Sequence, residues 1–157
     1  MIVGLPGLNG QRVESLKTFI TFYNFLRGQY KPEDLDSNVT ANVQELLPKV
    51  NRLLNIVDGL WDLEGKKLNS IVVTSGYRSV EHNKRIGGSG KSAHCLGKAV
   101  DIADAGNHVG QWLKADWKKH GENSVLAICE LWLEDPDYSP GWCHLSDRPV
   151  GVRVFKP

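Results

Sequence analysis

The sequence predicts an α+β domain, with N-terminal helices packed on a small, mostly antiparallel sheet. Apolar residues recur at three- and four-residue spacing through much of the first 60 positions. From residue 70 the texture changes to short β-rich runs separated by turn residues. Because helices come first and strands later, alternating βαβ units are not expected.

In chain order, a first helix is expected from the stripe Val13, Leu16, Phe19, Ile20, Tyr23 and Leu26, closed by Gly28. A second follows from Val43, Leu46, Leu47, Val50, Leu53, Leu54 and Val57, with Asn38 and Thr40 as cap candidates and Gly59 at its end. The β-rich runs are "SIVVTS" at 70–75, "KAVDIAD" at 98–104, "SVLAICELWLE" at 124–134, "WCHLS" at 142–146 and "VGVRVF" at 150–155, expected to form one sheet. Between them, Val109, Trp112, Leu113 and Trp117 predict a helix of about four turns ending near Gly121.

The 157 residues fit a single domain spanning 1–157, with no repeat or linker to divide it. Nineteen Lys+Arg against eighteen Asp+Glu leave a formal charge of +1 without a block of either sign. Composition therefore gives no electrostatic argument for nucleic acid or an anionic membrane. Cys95, Cys129 and Cys143 are too few and too scattered for a disulfide framework. The N-terminus has no basic region followed by an apolar core, and no apolar run approaches the roughly 18 residues of a spanning helix. The expectation is a monomer made in the cytoplasm without a signal peptide and without membrane insertion.

The stretch "RIGGSGKSAHCLGKAVDI", residues 85–102, admits two chemistries. A phosphate loop of the G-x-x-x-x-G-K-[ST] type would need glycine at Arg85, and it would need strand, loop, helix order. Here "SVEHNKRI" before the loop reads as helix and "GKAVDIAD" after it as strand, which argues against a nucleotide site. The other chemistry is metal ligation. His94 and Asp101 are seven apart, and His144 lies on a separate predicted strand. Two imidazoles and a carboxylate suit zinc, and three protein ligands leave a fourth position for water. By spacing alone, each histidine is equally well an ordinary surface or core residue.

"TSGYRS" at 74–79, Asn83, "GG" at 87–88, "SAHCLGKAVDI" at 92–102 and "GWCHLS" at 141–146 occur in an order and at separations that carry a specific resemblance. Over roughly residues 40 to 146, the chain resembles the zinc D-alanyl-D-alanine carboxypeptidase and L-alanyl-D-glutamate peptidase family. That family shares its fold with the Hedgehog signalling domain and includes phage endolysins. The resemblance implies zinc held by His94, Asp101 and His144, and Arg78 facing the metal to stabilise an oxyanion or grip a substrate carboxylate. It also implies Ser92 as a substrate or supporting hydrogen bonder, with Trp142 walling the cleft. A carboxylate at Asp101, in a strand otherwise made of Ala99, Val100, Ile102 and Ala103, would be costly to bury without a cation.

Many family members place the catalytic glutamate three residues before the last histidine, where this chain has Gly141. Others carry it at the end of the preceding strand, which selects Glu130, sharing alternation with Leu126, Ile128 and Trp132, over Glu134 nearer the turn. Cys95 and Cys143 flank ligands and are expected to face away from them as small buried hydrophobes. His82, His108 and His120 are expected at the surface, and Trp112, Trp117 and Trp132 in the core. The activity implied is hydrolysis of an amide in the peptidoglycan stem peptide by a phage enzyme released through a holin or carried in the virion. The alternative is a non-catalytic, zinc-stabilised binding or virion structural protein on the same fold.

Overall fold

The computed structural model describes residues 16–68 and 70–157. The expected α+β architecture is present. Helices α1 (Phe22–Leu26), α2 (Ser37–Leu63), α3 (Val80–Arg85), α4 (His108–His120) and α5 (Val125–Ile128) accompany strands β1 (Val73–Ser75), β2 (Ala99–Asp104), β3 (Trp132–Glu134), β4 (Gly141–Ser146) and β5 (Val154–Phe155). The strands form one sheet in the order β1-β2-β4-β3-β5, antiparallel except for the parallel pair β3 and β5.

The apolar stripe of α2 explains the core. Val43, Leu46, Val50, Leu53, Leu54 and Val57 are fully buried in one cluster with Val100, Ile102, Leu133, Cys143 and Leu145 of the sheet. Helix α4 packs on the same sheet through Leu113. Successive strand residues point to opposite faces, so the residues interleaved with these apolar ones, Asp101 and His144 among them, belong to the other face.

Helix α2 is longer at both ends than its pattern predicts. Its cap is Asp36, whose carboxylate accepts from Val39 N at 2.9 Å, and not Asn38 or Thr40. It also runs through Gly59 to bury Trp61. There Lys66 N donates to Trp61 O and Gly65 N to Asp62 O, the paired bonds of a Schellman end, and Gly65 supplies the positive φ of 71°.

The first predicted helix shrinks to the five residues of α1. Leu16 and Tyr23 of its stripe are exposed, while Ile20 and Leu26 are buried; Val13 lies outside the described residues. Thr21 starts the helix with a capping box to Asn24. The segment before it is held non-helical by α2. Asn51 Oδ1 accepts from Phe19 N and Ile20 N, and Asn51 Nδ2 donates to Ile20 O; Asn55 does the same for both backbone groups of Lys17. These side-chain amides satisfy the backbone groups that a helix would otherwise have paired.

The expected strand over 124–134 is half helix. Ser124 Oγ accepts from Ala127 N and Asp116 accepts from Val125 N, which starts α5. Glu130 then takes a left-handed φ of 55°, and only Trp132–Glu134 are extended. The predicted α4 and its Gly121 end, the strand at 98–104 and the strand at 142–146 are observed closely.

Replacing Asn51 with alanine removes three bonds to the backbone of residues 19 and 20, and the expected cost is about 2 kcal/mol. Urea unfolding measures it, and a loss below a few tenths would mean that this segment is not anchored through Asn51.

Candidate metal centre

The strand register assembles the site. Ser75 is paired with Asp101 across β1 and β2, and Asp101 with His144 across β2 and β4. Directly opposed residues share a face. In the β3–β4 ladder Trp132 opposes Ser146 and Leu133 opposes Leu145, so one further step sets Glu134 opposite His144. Glu134 is in turn paired with Phe155 of β5. A transverse row, Ser75, Asp101, His144, Glu134 and Phe155, thus crosses all five strands on the face away from the apolar core.

His94 joins the row from a 3-10 turn, Ala93–Leu96, that leads into β2. Ser92 caps this turn, its Oγ accepting from His94 N at 3.3 Å. Helix α2 supports the turn from behind: Asn42 Nδ2 donates to Leu96 O, and a Cβ on Gly97 would lie 2.8 Å from Val43 Cγ2. The ring is oriented by Gly76, whose carbonyl lies 2.7 Å from His94 Nδ1. Gly76 itself touches α1 so closely that a Cβ would lie 1.9 Å from Phe25 O.

His94, Asp101 and His144 each offer a ligand atom, all within 4.8 Å of one another, as a group that could hold a metal ion. His94 Nε2 is 3.3 Å from Asp101 Oδ2, and His144 Nδ1 is 2.7 Å from Asp101 Oδ1. With Nδ1 of His94 donating to the Gly76 carbonyl, a neutral ring turns the lone pair of Nε2 toward a carboxylate oxygen. Two lone pairs at that distance repel unless a proton or a cation lies between them. Asp101 is nearly buried, at 7% exposure. Burial alone would raise its pKa, but the hydrogen bonds and charges of His144 and His94 overcome this and hold the carboxyl well below its usual range. An anionic oxygen between two imidazoles is a donor set that suits a divalent ion.

Arg78 approaches Asp101 from the turn after β1. Its Nη2 lies 3.2 Å from Asp101 Oδ2, Nε donates to Ser75 Oγ at 2.7 Å, and Nη1 to Asn83 Oδ1 at 3.3 Å. Asn83 is buried, and its amide donates to Ser89 O in the glycine-rich loop. That loop follows helix α3 and precedes strand β2, the reverse of a phosphate loop's order. Gly88 lies against Asn83 so tightly that a Cβ would be 2.5 Å from its Nδ2.

The three ligand candidates open into a cleft of about 540 Å³ whose lining includes Arg78, Ser92, Trp142 and Glu134. Five of the six expected site residues besides Glu130 are His94, Asp101, His144, Arg78 and Ser92, and Trp142 is the sixth; all six meet here. Glu130 does not. Its side chain is 74% exposed and lies 3.8 Å from Lys49, because α5 and the left-handed turn break the alternation expected to carry it inward. Glu134 takes that place. Burial raises its pKa, and it feels the charges of His144, Asp101 and His94. Glu134 is the alternative that the sequence offers to Glu130, and the β3–β4 register is what sets it beside His144 in the cleft.

Cys95 and Cys143 are buried and free, as expected. Burial pushes both thiols up, Cys143 most strongly. His108 and His120 are exposed and His82 is half-buried, all on helices. No helix among the described residues is long and apolar enough to cross a membrane.

Residues 29–128 match the model of the family described as Peptidase M15, a span that includes His94 and Asp101 and ends before Glu134 and His144. No curated protein and no solved structure matches the chain. With most of its length matched to that model, and with the two histidines and the aspartate gathered on one sheet face, the chain belongs to the peptidase M15 family.

Proposed function

We propose that this protein is a zinc metallopeptidase that hydrolyses an amide in the peptidoglycan stem peptide, of either the D-Ala-D-Ala carboxypeptidase or the L-Ala-D-Glu endopeptidase type. The observation that carries this reading is the His94, Asp101 and His144 cluster, with Arg78 and Glu134 in the same cleft. His94 through Nε2, the Asp101 carboxylate and His144 through Nδ1 would hold the ion. Zinc in such a site supplies Lewis acidity, which polarises a carbonyl and makes water a competent nucleophile near neutral pH.

The chain's own groups supply the rest. Glu134 is the general base: it takes the proton of the attacking water and returns it to the departing amine. Its burial, which favours the protonated form, suits the second half of that cycle. Arg78 is pre-set by Ser75, Asn83 and Asp101, and its fixed positive charge opposes the negative charge that develops on the carbonyl oxygen. Gly76 and Ser92 hold His94 in one orientation, so the ligand set needs little rearrangement to accept a metal. Ser92 and Trp142 flank the substrate.

The motif set that resembles the carboxypeptidases and phage endolysins supports the cell wall as target and a role in phage wall lysis. In that role the enzyme reaches the wall after holin-dependent release or from the virion.

Chelator treatment is expected to lower the thermal unfolding midpoint and abolish amine release from purified cell walls, with zinc restoring both. Zinc binding with no amine released from any wall preparation would favour a non-catalytic binding protein on this fold. Among the glutamates, Glu134→Gln is expected to keep zinc and lose about 10²- to 10⁴-fold in turnover. Glu130→Gln should leave the rate within about twofold, since it removes only an exposed ion pair. The reverse ranking, measured as kcat on the same substrate, would contradict the assignment of the base.

A further inference from the structure

The metal centre lies where two hollows meet. The second hollow, of about 450 Å³, shares Arg78, Ser92, Glu134 and His144 with the first and continues the transverse row toward β5. Its far side is built from the C-terminal segment: Arg148, Val150, Phe155 and Pro157. Phe155 meets the His144 ring edge-on, with centroids 6.0 Å apart, so this apolar wall directly adjoins the ligand set.

The two hollows differ in charge. Beyond the shared residues the first holds His94 and Asp101 of the ligand set, with Thr74, Ser75 and Trp142, and it adds no lysine or arginine. The second brings Arg148. Arg78, common to both, has its guanidinium committed to Ser75, Asn83 and Asp101. Arg148 commits one N–H, from Nη1 to the Lys91 carbonyl at 2.7 Å, which anchors the fork beside the glycine-rich loop. The side chain is otherwise exposed. A guanidinium carries five N–H donors in a planar fork that matches a carboxylate.

We propose that the hollow between Phe155 and the glycine-rich loop is the substrate subsite on one side of the scissile amide, and that Arg148 reads a free carboxylate there. The inference rests on the peptidase reading and deepens it by naming a substrate class: stem peptides whose carboxyl next to the cleavage point is free and not amidated. Phe155, Val150 and Pro157 cover the aliphatic part of the same residue. Arg148 is a specificity-determining residue that acts on binding, apart from the groups at the reacting atoms. Two carboxylates of a stem peptide have this chemistry: the C-terminal one and the α-carboxyl of the γ-linked D-glutamyl residue.

The test uses zinc-loaded protein and one synthetic stem peptide in three forms: all carboxyls free, C-terminal carboxyl amidated, and D-glutamyl α-carboxyl amidated. Calorimetric binding is measured in the Glu134→Gln background, where the peptide stays intact, and KM and kcat in the otherwise native protein. One of the two amidations is expected to weaken binding about tenfold, and which one does so identifies the carboxylate. Arg148→Gln keeps a donor for the Lys91 carbonyl and removes the charge. It should weaken the free-acid peptide about tenfold, erase the amidation penalty, raise KM with kcat within about twofold, and leave the unfolding midpoint unchanged. Equal binding of all three forms, or an amidation penalty that survives Arg148→Gln, would overturn the inference and leave the peptidase reading standing. Peptides that neither bind nor are cut by protein that does hold zinc would overturn both.

Discussion

The structure depends on the carboxylate of Asp101. It is an anion at 7% exposure on a central strand, and nothing apolar compensates for its removal from water. Its neighbours are nitrogen groups: His94, His144 and Arg78 all lie within 3.3 Å of its two oxygens. Removing one partner of such a cluster leaves buried charge behind, which makes the group act as a unit. The same requirement makes it a metal site, since a divalent ion satisfies two imidazole lone pairs and a carboxylate together.

The sheet makes this arrangement rigid. Because opposed residues share a face, the register that pairs Asp101 with His144 fixes two ligand candidates before any side chain chooses a rotamer. The apolar residues between them, Val100, Ile102, Cys143 and Leu145, pack into the helix-covered core, so a one-residue slip would bury the ligands and expose the core. The third ligand candidate comes from outside the sheet and needs separate support. It has this from Gly76, Ser92 and the flank of α2, each bonded to the His94 turn or in close contact with it. Arg78 links the two parts, since its guanidinium reaches Ser75 and Asp101 on the strands and Asn83 on α3.

Long periodic patterns were legible in the sequence, and so was the gathering of the ligand candidates. Helix α2 has seven apolar positions at helical spacing, and strands β2 and β4 sit on runs too short and too β-rich to be helical. The failures have local causes. "VLAIC" at 125–129 is an apolar run too short for periodicity to separate helix from strand, and the deciding signal is Ser124, a cap residue directly ahead of it. A continuous strand over that run would put Glu130 and Glu134 on one face, whereas the left-handed turn at Glu130 leaves only Glu134 in the cleft. Ahead of α1 the apolar stripe runs through residues whose backbone is claimed by Asn51 and Asn55, more than thirty positions away. Such long-range side-chain pairing leaves no periodic trace. Of the strand expected over 150–155 only Val154–Phe155 is extended, and its place at the end of the site row comes from its parallel register with β3.

Whether His94, Asp101 and His144 hold a metal is settled by a crystal structure of zinc-loaded protein with anomalous data collected on both sides of the zinc edge. One strong anomalous peak is expected, bounded by the side chains of His94, Asp101 and His144. A zinc-replete crystal with no peak there, and with the two imidazoles bonded directly to the Asp101 carboxylate, would contradict it.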